Sequence, residues 1–173
     1  DLSSGTLSRY LNNPTDRRTI SNNTILSMHL DQAGSLWVGT AAGLNRFDQQ
    51  TGIFRQYIEQ AGLPNDVIYA IQDDEQGNLW VSTNDGISRF NPGSEIFKNF
   101  NNKDGLQSNE FNVAAGYSDT VGQLYFGGIN GFTVFNPEHV RSNAYVPPVM
   151  ITGLTQGGLP LDVNRPPEKL TQL

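Results

Sequence analysis

Short runs of alternating apolar and polar residues, separated by turn-forming residues, recur along most of the chain. The clearest stretch predicts four half-buried β-strands, at residues 67–73, 79–83, 87–90 and 95–100. Aspartate, asparagine, glycine and proline fill the connections, and Gly77 suits a turn that needs a positive φ. Because the connections are short, successive strands pair antiparallel, and the stretch predicts one four-stranded meander.

The same pattern occurs three times. Six positions of unlike chemistry recur at a step of 43 residues and then at a step of 45: Asp31, Gly34, Leu36, Trp37, Gly43 and Phe47; Asp74, Gly77, Leu79, Trp80, Gly86 and Phe90; Asp119, Gly122, Leu124, Tyr125, Gly131 and Phe135. The longer second step predicts a two-residue insertion between Phe111 and Asp119. A tandem repeat of this length indicates a solenoid or a propeller.

A four-stranded sheet has two apolar faces that it cannot bury alone, so copies must stack face to face as propeller blades. We therefore expect Trp37, Trp80 and Tyr125 to be buried between neighbouring sheets. The recurring aspartates are expected to cap turns by accepting hydrogen bonds from nearby backbone amides, and they are weak catalytic candidates.

Residues 62–83 resemble the two-component regulator propeller repeat, and the copy ending at residues 34–40 is similar to it. The third copy departs from the pattern by placing tyrosine at Tyr125 and glycine at Gly128. The tail at residues 146–161 resembles the opening strands of the triple-tyrosine (Y_Y_Y) domain, an immunoglobulin-like sandwich that follows such propellers. We expect the tyrosines that name this domain to lie beyond Leu173.

The predicted fold is all-β: a partial β-propeller of four-stranded antiparallel blades, followed by the beginning of a β-sandwich. The predicted units are the end of a preceding blade with a linker, three blades and a truncated sandwich, at residues 1–19, 20–62, 63–105, 106–144 and 145–173. Three blades do not close a ring, because propellers need about four to eight. The uncovered apolar face predicts self-association.

Both resemblances imply the periplasmic sensor region of a bacterial membrane-anchored signalling protein, with a histidine kinase or a diguanylate cyclase as its output. The absence of cysteine does not determine the compartment, because many periplasmic domains have no disulfides. The formal charge of −6 and the pI of about 4.7 disfavour nucleic acid as a partner. With no cysteine in the chain, disulfides, thiolate metal sites and cysteine nucleophiles are excluded.

No catalytic constellation stands out in the sequence. His29 and His139, the two histidines, lack metal-ligand spacing and are interpreted as surface or core fillers. The carboxylates of residues 73–75 are interpreted as a solvated turn at the end of the propeller opposite the usual ligand entrance. The glycine-rich residues 127–131 are interpreted as a turn, since no helix follows to bind phosphate. We expect no cofactor and no metal.

Ligand binding is expected at the loops that join one blade to the next and at those between second and third strands, because both rim one mouth of the channel. The candidate residues are Asn22, Asn23, Asn65, Asp66, Asn84, Asp85, Asn109, Glu110 and Asn130. Amides and carboxylates with few cations suit hydroxyl-rich ligands such as oligosaccharides. The alternative is that these side chains only stabilise turns.

The sequence is compatible with three functions. A non-enzymatic ligand sensor is the leading hypothesis. The alternatives are a fragment of a propeller hydrolase or lyase and a protein-interaction scaffold, because propellers host all three.

Overall fold

The computed structural model describes residue 5, residues 7–140 and two short strands at residues 154–156 and 159–161. The chain divides into two compact units, Asp1–Val140 and Arg141–Leu173. In the first unit, three antiparallel sheets follow one another along the chain, and each is a meander in which consecutive strands are neighbours. The second unit contains one described hairpin.

The three sheets are called blades 1, 2 and 3. Blade 1 contains β1 (Ile25–Leu30), β2 (Leu36–Thr40), β3 (Gly43–Phe47) and β4 (Phe54–Tyr57). Blade 2 contains β5 (Ala70–Asp73), β6 (Leu79–Thr83), β7 (Gly86–Asn91) and β8 (Ile96–Phe100). Blade 3 contains β9 (Phe111–Ser118), β10 (Leu124–Gly128) and β11 (Gly131–Phe135). Short 3₁₀ turns occupy Glu59–Ala61, Asn102–Asp104 and Pro137–His139. The second unit's hairpin pairs β12 (Leu154–Gln156) with β13 (Leu159–Leu161).

The all-β, partial-propeller fold class predicted from the repeat is confirmed. Blade 3 has three strands among the described residues, and a fourth would fall after Val140, outside that part of the chain. The first strand of blade 2 begins at Ala70 instead of residue 67. At residue 68 the backbone hydrogen-bonds to blade 1 instead, since the Ile68 amide donates to the Thr40 carbonyl at 3.0 Å. Most of the predicted sandwich, residues 145–173, lies outside the described residues.

Two interfaces between blades form most of the hydrophobic core, and a smaller cluster of Ile20, Val38 and Phe54 lies on the outer side of blade 1. Residues of β6 alternate between them: Leu79 and Val81 pack in the cluster shared with blade 1, whereas Trp80 packs in the cluster shared with blade 3. This follows from the period of two along a strand. The interface of blades 1 and 2 buries Trp37, Leu44, Tyr57, Leu63, Ile68, Ile71, Leu79, Val81 and Phe90. The interface of blades 2 and 3 buries Ala70, Trp80, Ile87, Phe111, Leu124 and Phe126.

The prediction for the recurring large aromatics is confirmed for two of the three. Trp37 is 0% exposed and Trp80 is 1% exposed. It is wrong for Tyr125, which is only half-buried, because no sheet packs against its side of blade 3 among the described residues. On that side Tyr125 lies beside three exposed residues, Tyr117, Phe132 and Val134. These four residues are called the open face.

Residues 7–20 cover part of the opposite side of the unit, against blade 1. The Tyr10 ring lies 4.8 Å from the Phe47 ring and 5.6 Å from the Phe54 ring. Tyr57 makes the same pair of contacts with blade 2, at 4.8 Å to Phe90 and 6.2 Å to Phe97. Tyr10 thus occupies, relative to blade 1, the place that the fourth strand of blade 1 gives to Tyr57.

Candidate ligand-binding site

The loops predicted to rim one mouth of the channel do meet at one end of blades 2 and 3. The turn between β6 and β7 joins the entry loop of blade 3, since the Gly86 amide donates to the Asn109 carbonyl at 2.7 Å. The side chains of the same loops are also linked, because Asn109 Nδ2 donates to Asp85 Oδ1 at 2.9 Å. This end of the unit is called the mouth.

Five of the nine candidate side chains hold their own loops in shape. Asn22 and Asn65 occupy equivalent positions, and each accepts a hydrogen bond from the amide two residues later, at 2.7 Å and 2.9 Å. Asn23, Asp66 and Asn109 accept backbone amides from the segments that lead into their loops: Asn12, Glu59 and Asn102. These contacts support the alternative that the residues stabilise turns, and ligand binding by them stays a prediction.

The other four candidates are exposed at the mouth between blades 2 and 3. Asn84 Oδ1 accepts from the Tyr69 hydroxyl at 2.9 Å, and Asp85 accepts from Asn109. Glu110 and Asn130 make no side-chain hydrogen bond to another described residue. Tyr69 was missed by the sequence reasoning, because its repeat position lies in a strand instead of a loop.

Gln107 is a second residue that the sequence reasoning missed. Its Oε1 accepts from the Asn130 amide at 2.9 Å, and its Nε2 donates to the Glu110 carbonyl at 3.2 Å. One amide side chain therefore ties the entry loop of blade 3 to the turn between β10 and β11. The signal that could have identified it is its repeat position, where blades 1 and 2 have Ser21 and Pro64.

The interpretation of residues 73–75 as a solvated turn is corrected for Asp73 and Asp74, whereas Glu75 is exposed as expected. Asp74 is 5% exposed, and Asp73 accepts from the Gln32 amide at 3.0 Å and lies 2.9 Å from His29 Nε2. His29 therefore bridges blades 1 and 2 instead of filling space. Asp73 and Asp74 border an acidic cleft of about 190 Å³ at the end of the unit opposite the mouth, which Asp119 and Glu138 also line.

The predicted turn-capping role of the recurring aspartates is confirmed, and the structure adds a partner that the sequence did not reveal. Asp31 and Asp74 each accept from a ring nitrogen six positions later, Trp37 Nε1 and Trp80 Nε1, at 2.8 Å. Asp119 accepts from the Tyr125 hydroxyl at 2.9 Å. Hydrogen bonds from the Gln123 amide, the Tyr125 hydroxyl and the Val121 amide lower the pKa of the Asp119 carboxyl.

The exposed side chains at the mouth are amides and carboxylates, and the Tyr69 ring beside them is partly buried against the core of blades 2 and 3. Among the described residues, no group of three or more histidine, cysteine or acidic side chains is placed to hold a metal ion. His29 is engaged at the opposite end, so it does not serve a serine or threonine at the mouth as a general base.

Comparison with known proteins agrees with the fold and the repeat. Residues 19–42 and 62–85 match the family described as two component regulator propeller. No curated protein matches the chain. A search of solved structures matched the extracellular domain of the putative hybrid two component system BT3049 from B. thetaiotaomicron, at 28% identity and a TM-score of 0.68. That match covers 82% of this chain and 21% of the other.

A second match is the extracellular domain of the putative one component system BT4673 from the same organism, at 26% identity and a TM-score of 0.52. It covers 69% of this chain and 18% of the other, so the chain spans about a fifth of the length of each structure. No described helix is long and apolar enough to cross a membrane. Two segments of the chain match the two-component regulator propeller family, and the chain is similar to the extracellular domains of a putative hybrid two component system and a putative one component system of B. thetaiotaomicron.

Proposed function

We propose that this chain is part of the periplasmic ligand-sensing region of a bacterial two-component-type receptor that is anchored in the inner membrane. The observation that carries the proposal is the match over 82% of the chain to the extracellular domain of a putative hybrid two component system. The output domain of the whole receptor is a histidine kinase or a diguanylate cyclase, and the propeller itself is not an enzyme. The described hairpin after the propeller is the start of a Y_Y_Y domain.

The proposed ligand is an oligosaccharide that binds at the mouth. Sugar hydroxyls both donate and accept hydrogen bonds. At the mouth, side-chain amides can donate to and accept from these hydroxyls, carboxylates can accept from them, and a sugar ring can pack against Tyr69. No lysine or arginine is among the nine candidates or the two residues that the structure adds, which disfavours phosphorylated or sulfated ligands.

Thermal-shift screening of the full-length receptor against a panel of defined oligosaccharides tests the proposed function. A ligand present at about 100 times its Kd stabilises the folded state by about 2.7 kcal/mol, so we expect one sugar family to raise the melting temperature clearly. Anionic sugars of the same size are the matched control. Turnover of the bound sugar would identify a hydrolase or lyase instead, and a panel without any stabilising sugar would contradict a carbohydrate sensor.

We also propose that the open face packs against a further blade of the same repeat. The equivalent sides of blades 1 and 2, with Trp37 and Trp80, are each covered by the next blade. On the open face, Phe132 remains 65% exposed and Val134 44% exposed, and the Tyr125 ring lies 5.9 Å and 6.4 Å from the Tyr117 and Phe132 rings. A contiguous aromatic surface of this kind drives association when its partner blade is missing.

The isolated 173-residue chain is therefore expected to self-associate through the open face. Changing both Phe132 and Val134 to lysine places two charges on that face and should make the chain monomeric, because charges are costly to bury without a partner. Light scattering over a concentration series measures this. The change Ile96→Lys, at a residue that is 65% exposed on β8, is the control and should leave association unchanged. A wild-type chain that is monomeric at high concentration would contradict the proposal.

A further inference from the structure

The innermost strand of blade 3 is longer than those of blades 1 and 2. In blade 1 this strand has a one-residue bulge, because Ile25 pairs with Thr40 and Ser27 pairs with Gly39. In blade 2, Ala70 and Ile71 of β5 pair in regular register with Ser82 and Val81. In blade 3, Phe111 pairs with Gly128 and Gly116 pairs with Phe126, so residues 112–115 of β9 face the single residue Gly127 of β10. Four residues opposite one leave three extra residues on β9, two of which are the predicted insertion relative to blade 2, and residues 112–115 are called the β9 bulge.

The β9 bulge is built with a strained backbone. Ala114 has a φ of 56°, a left-handed conformation that alanine rarely adopts. The Ala114 amide donates to the Tyr69 carbonyl of blade 2 at 2.9 Å, which anchors the bulge to the neighbouring inner strand. Strain of this kind persists only where the surroundings impose it, and bulges concentrate beside functional sites.

Two glycines of β10 accommodate the same feature. Gly127 stands where blade 1 has Gly39 and blade 2 has Ser82, and a Cβ at this position would lie 3.1 Å from the Ala115 Cβ, tighter than most real contacts. Gly128 stands where blades 1 and 2 have Thr40 and Thr83, and a Cβ there would overlap the Gln107 amide that ties the two loops. Insertion, glycine pair and Gln107 therefore converge at the mouth end of blade 3.

The bulge presents side chains that no packing interaction explains. Asn112 and Ala114 are exposed, and Val113 is 52% exposed. β9 is the edge strand of its sheet, on the side of the inner strands β1 and β5. The bulge begins three residues after Asn109. Phe111, which precedes the bulge, pairs with Gly128, and the turn that contains Asn130 follows Gly128. It thus extends the mouth inward from the loops.

We propose that the β9 bulge is the specificity element of the ligand site, with Asn112 bonding sugar hydroxyls and Val113 packing against the sugar ring. This inference rests on the proposed function, because it places the oligosaccharide at the mouth between blades 2 and 3. The unmodified repeat of blade 2 forms a complete blade without a bulge of this width, so propeller architecture does not require it.

Two variants of the full-length receptor test the proposal against the oligosaccharide panel. Deletion of residues 113 and 114 restores the 43-residue step between Asp74 and Asp119, and Val113→Arg fills the mouth without shortening the strand. Each is expected to weaken binding of the stabilising sugar at least about tenfold, measured by titration calorimetry. The melting temperature without ligand should be unchanged for Val113→Arg, and unchanged or higher for the deletion, which removes the strained alanine.

The control is Val121→Arg, which places the same side chain at a residue that is 67% exposed in the turn at the other end of β9. It should bind the sugar as the wild type does. If the wild type binds a sugar and both bulge variants bind it equally well, the bulge has no role and this inference fails while the proposed function stands. If either variant is unfolded, Asn112→Ala decides in its place by the same tenfold criterion. If the wild type binds no sugar, both proposals fail.

Discussion

Replacing Trp80 with alanine is expected to lower the free energy of unfolding by about 4 kcal/mol. The indole is 1% exposed and lies between blades 2 and 3, where its ring stacks on Phe100 at 5.5 Å and contacts Phe135 at 4.8 Å. Its Nε1 also donates to Asp74. Alanine would leave a cavity and would remove one of the hydrogen bonds to the buried Asp74 carboxylate, and chemical denaturation followed by circular dichroism measures the loss.

The matched control for this prediction is Tyr125→Ala, the equivalent position on blade 3. Tyr125 is half-buried and faces no sheet among the described residues, so its loss should cost about 1 kcal/mol or less in a monomeric sample. Equal effects of the two changes would contradict the interpretation that burial between blades, instead of position in the repeat, makes the aromatic residue important.

The change Asp74→Ala is expected to lower the free energy of unfolding by about 3 kcal/mol. Its carboxylate accepts from the backbone amides of Gln76 and Asn78, from the Asn78 side chain and from Trp80 Nε1, at 2.8–3.2 Å. Alanine leaves these donors without their partner, and the buried indole nitrogen does not reach water as a substitute. Denaturation measurements on the variant give the size of the loss.

A double-mutant cycle with Trp80→Phe isolates the hydrogen bond to the indole. Phenylalanine removes the Nε1 donor, so the effect of Asp74→Ala should be smaller by about 1 kcal/mol in that background. Asp119→Ala is a second comparison, and its effect should be smaller because its side chain is more exposed than that of Asp74. Strict additivity of the two changes at residues 74 and 80 would contradict a bond that stabilises both the turn and the interface.

The fold was predictable because each blade repeats one local pattern. Alternating strands, turn residues and the step of 43 residues appear in the sequence itself, and the number of blades that the chain contributes follows from counting copies. The recurring aspartates were correctly interpreted as turn caps. Their bonds to the indole nitrogens were not anticipated, although each aspartate precedes its aromatic partner by six positions in all three copies.

The candidate site was harder to predict, because a polar side chain in a loop has the same appearance whether it caps a turn or faces a ligand. Asn65 and Asn84 are both asparagines at predicted loops, yet the first accepts a hydrogen bond from the amide of Val67 and the second accepts one from the hydroxyl of Tyr69 within blade 2. The insertion in blade 3 was detected as a change of step. Its position at the mouth and its strained conformation at Ala114 became visible only in the structure.

Glu95 shows how far local preference can be overridden. It occupies a left-handed turn position, with a φ of 57°, where blade 1 has Gly52 with a φ of 73°. Its carboxylate accepts from the Tyr57 hydroxyl at 3.0 Å and pairs with Arg55, both on blade 1. Burial, together with the hydrogen bond to Glu95, raises the pKa of Tyr57 to about 12. Contacts across the blade interface thus hold a residue in a conformation that its own side chain disfavours.

The amino-acid sequence by itself determined the blades, their strands and the turns between them, because these depend on periodicity and on the preferences of residues close together in the chain. Only the tertiary structure decided which equivalent residues are buried, which carboxylates are paired and where the inserted residues of blade 3 lie. Those properties depend on whether a neighbouring blade is present, and a neighbouring blade is about 43 residues away in the chain.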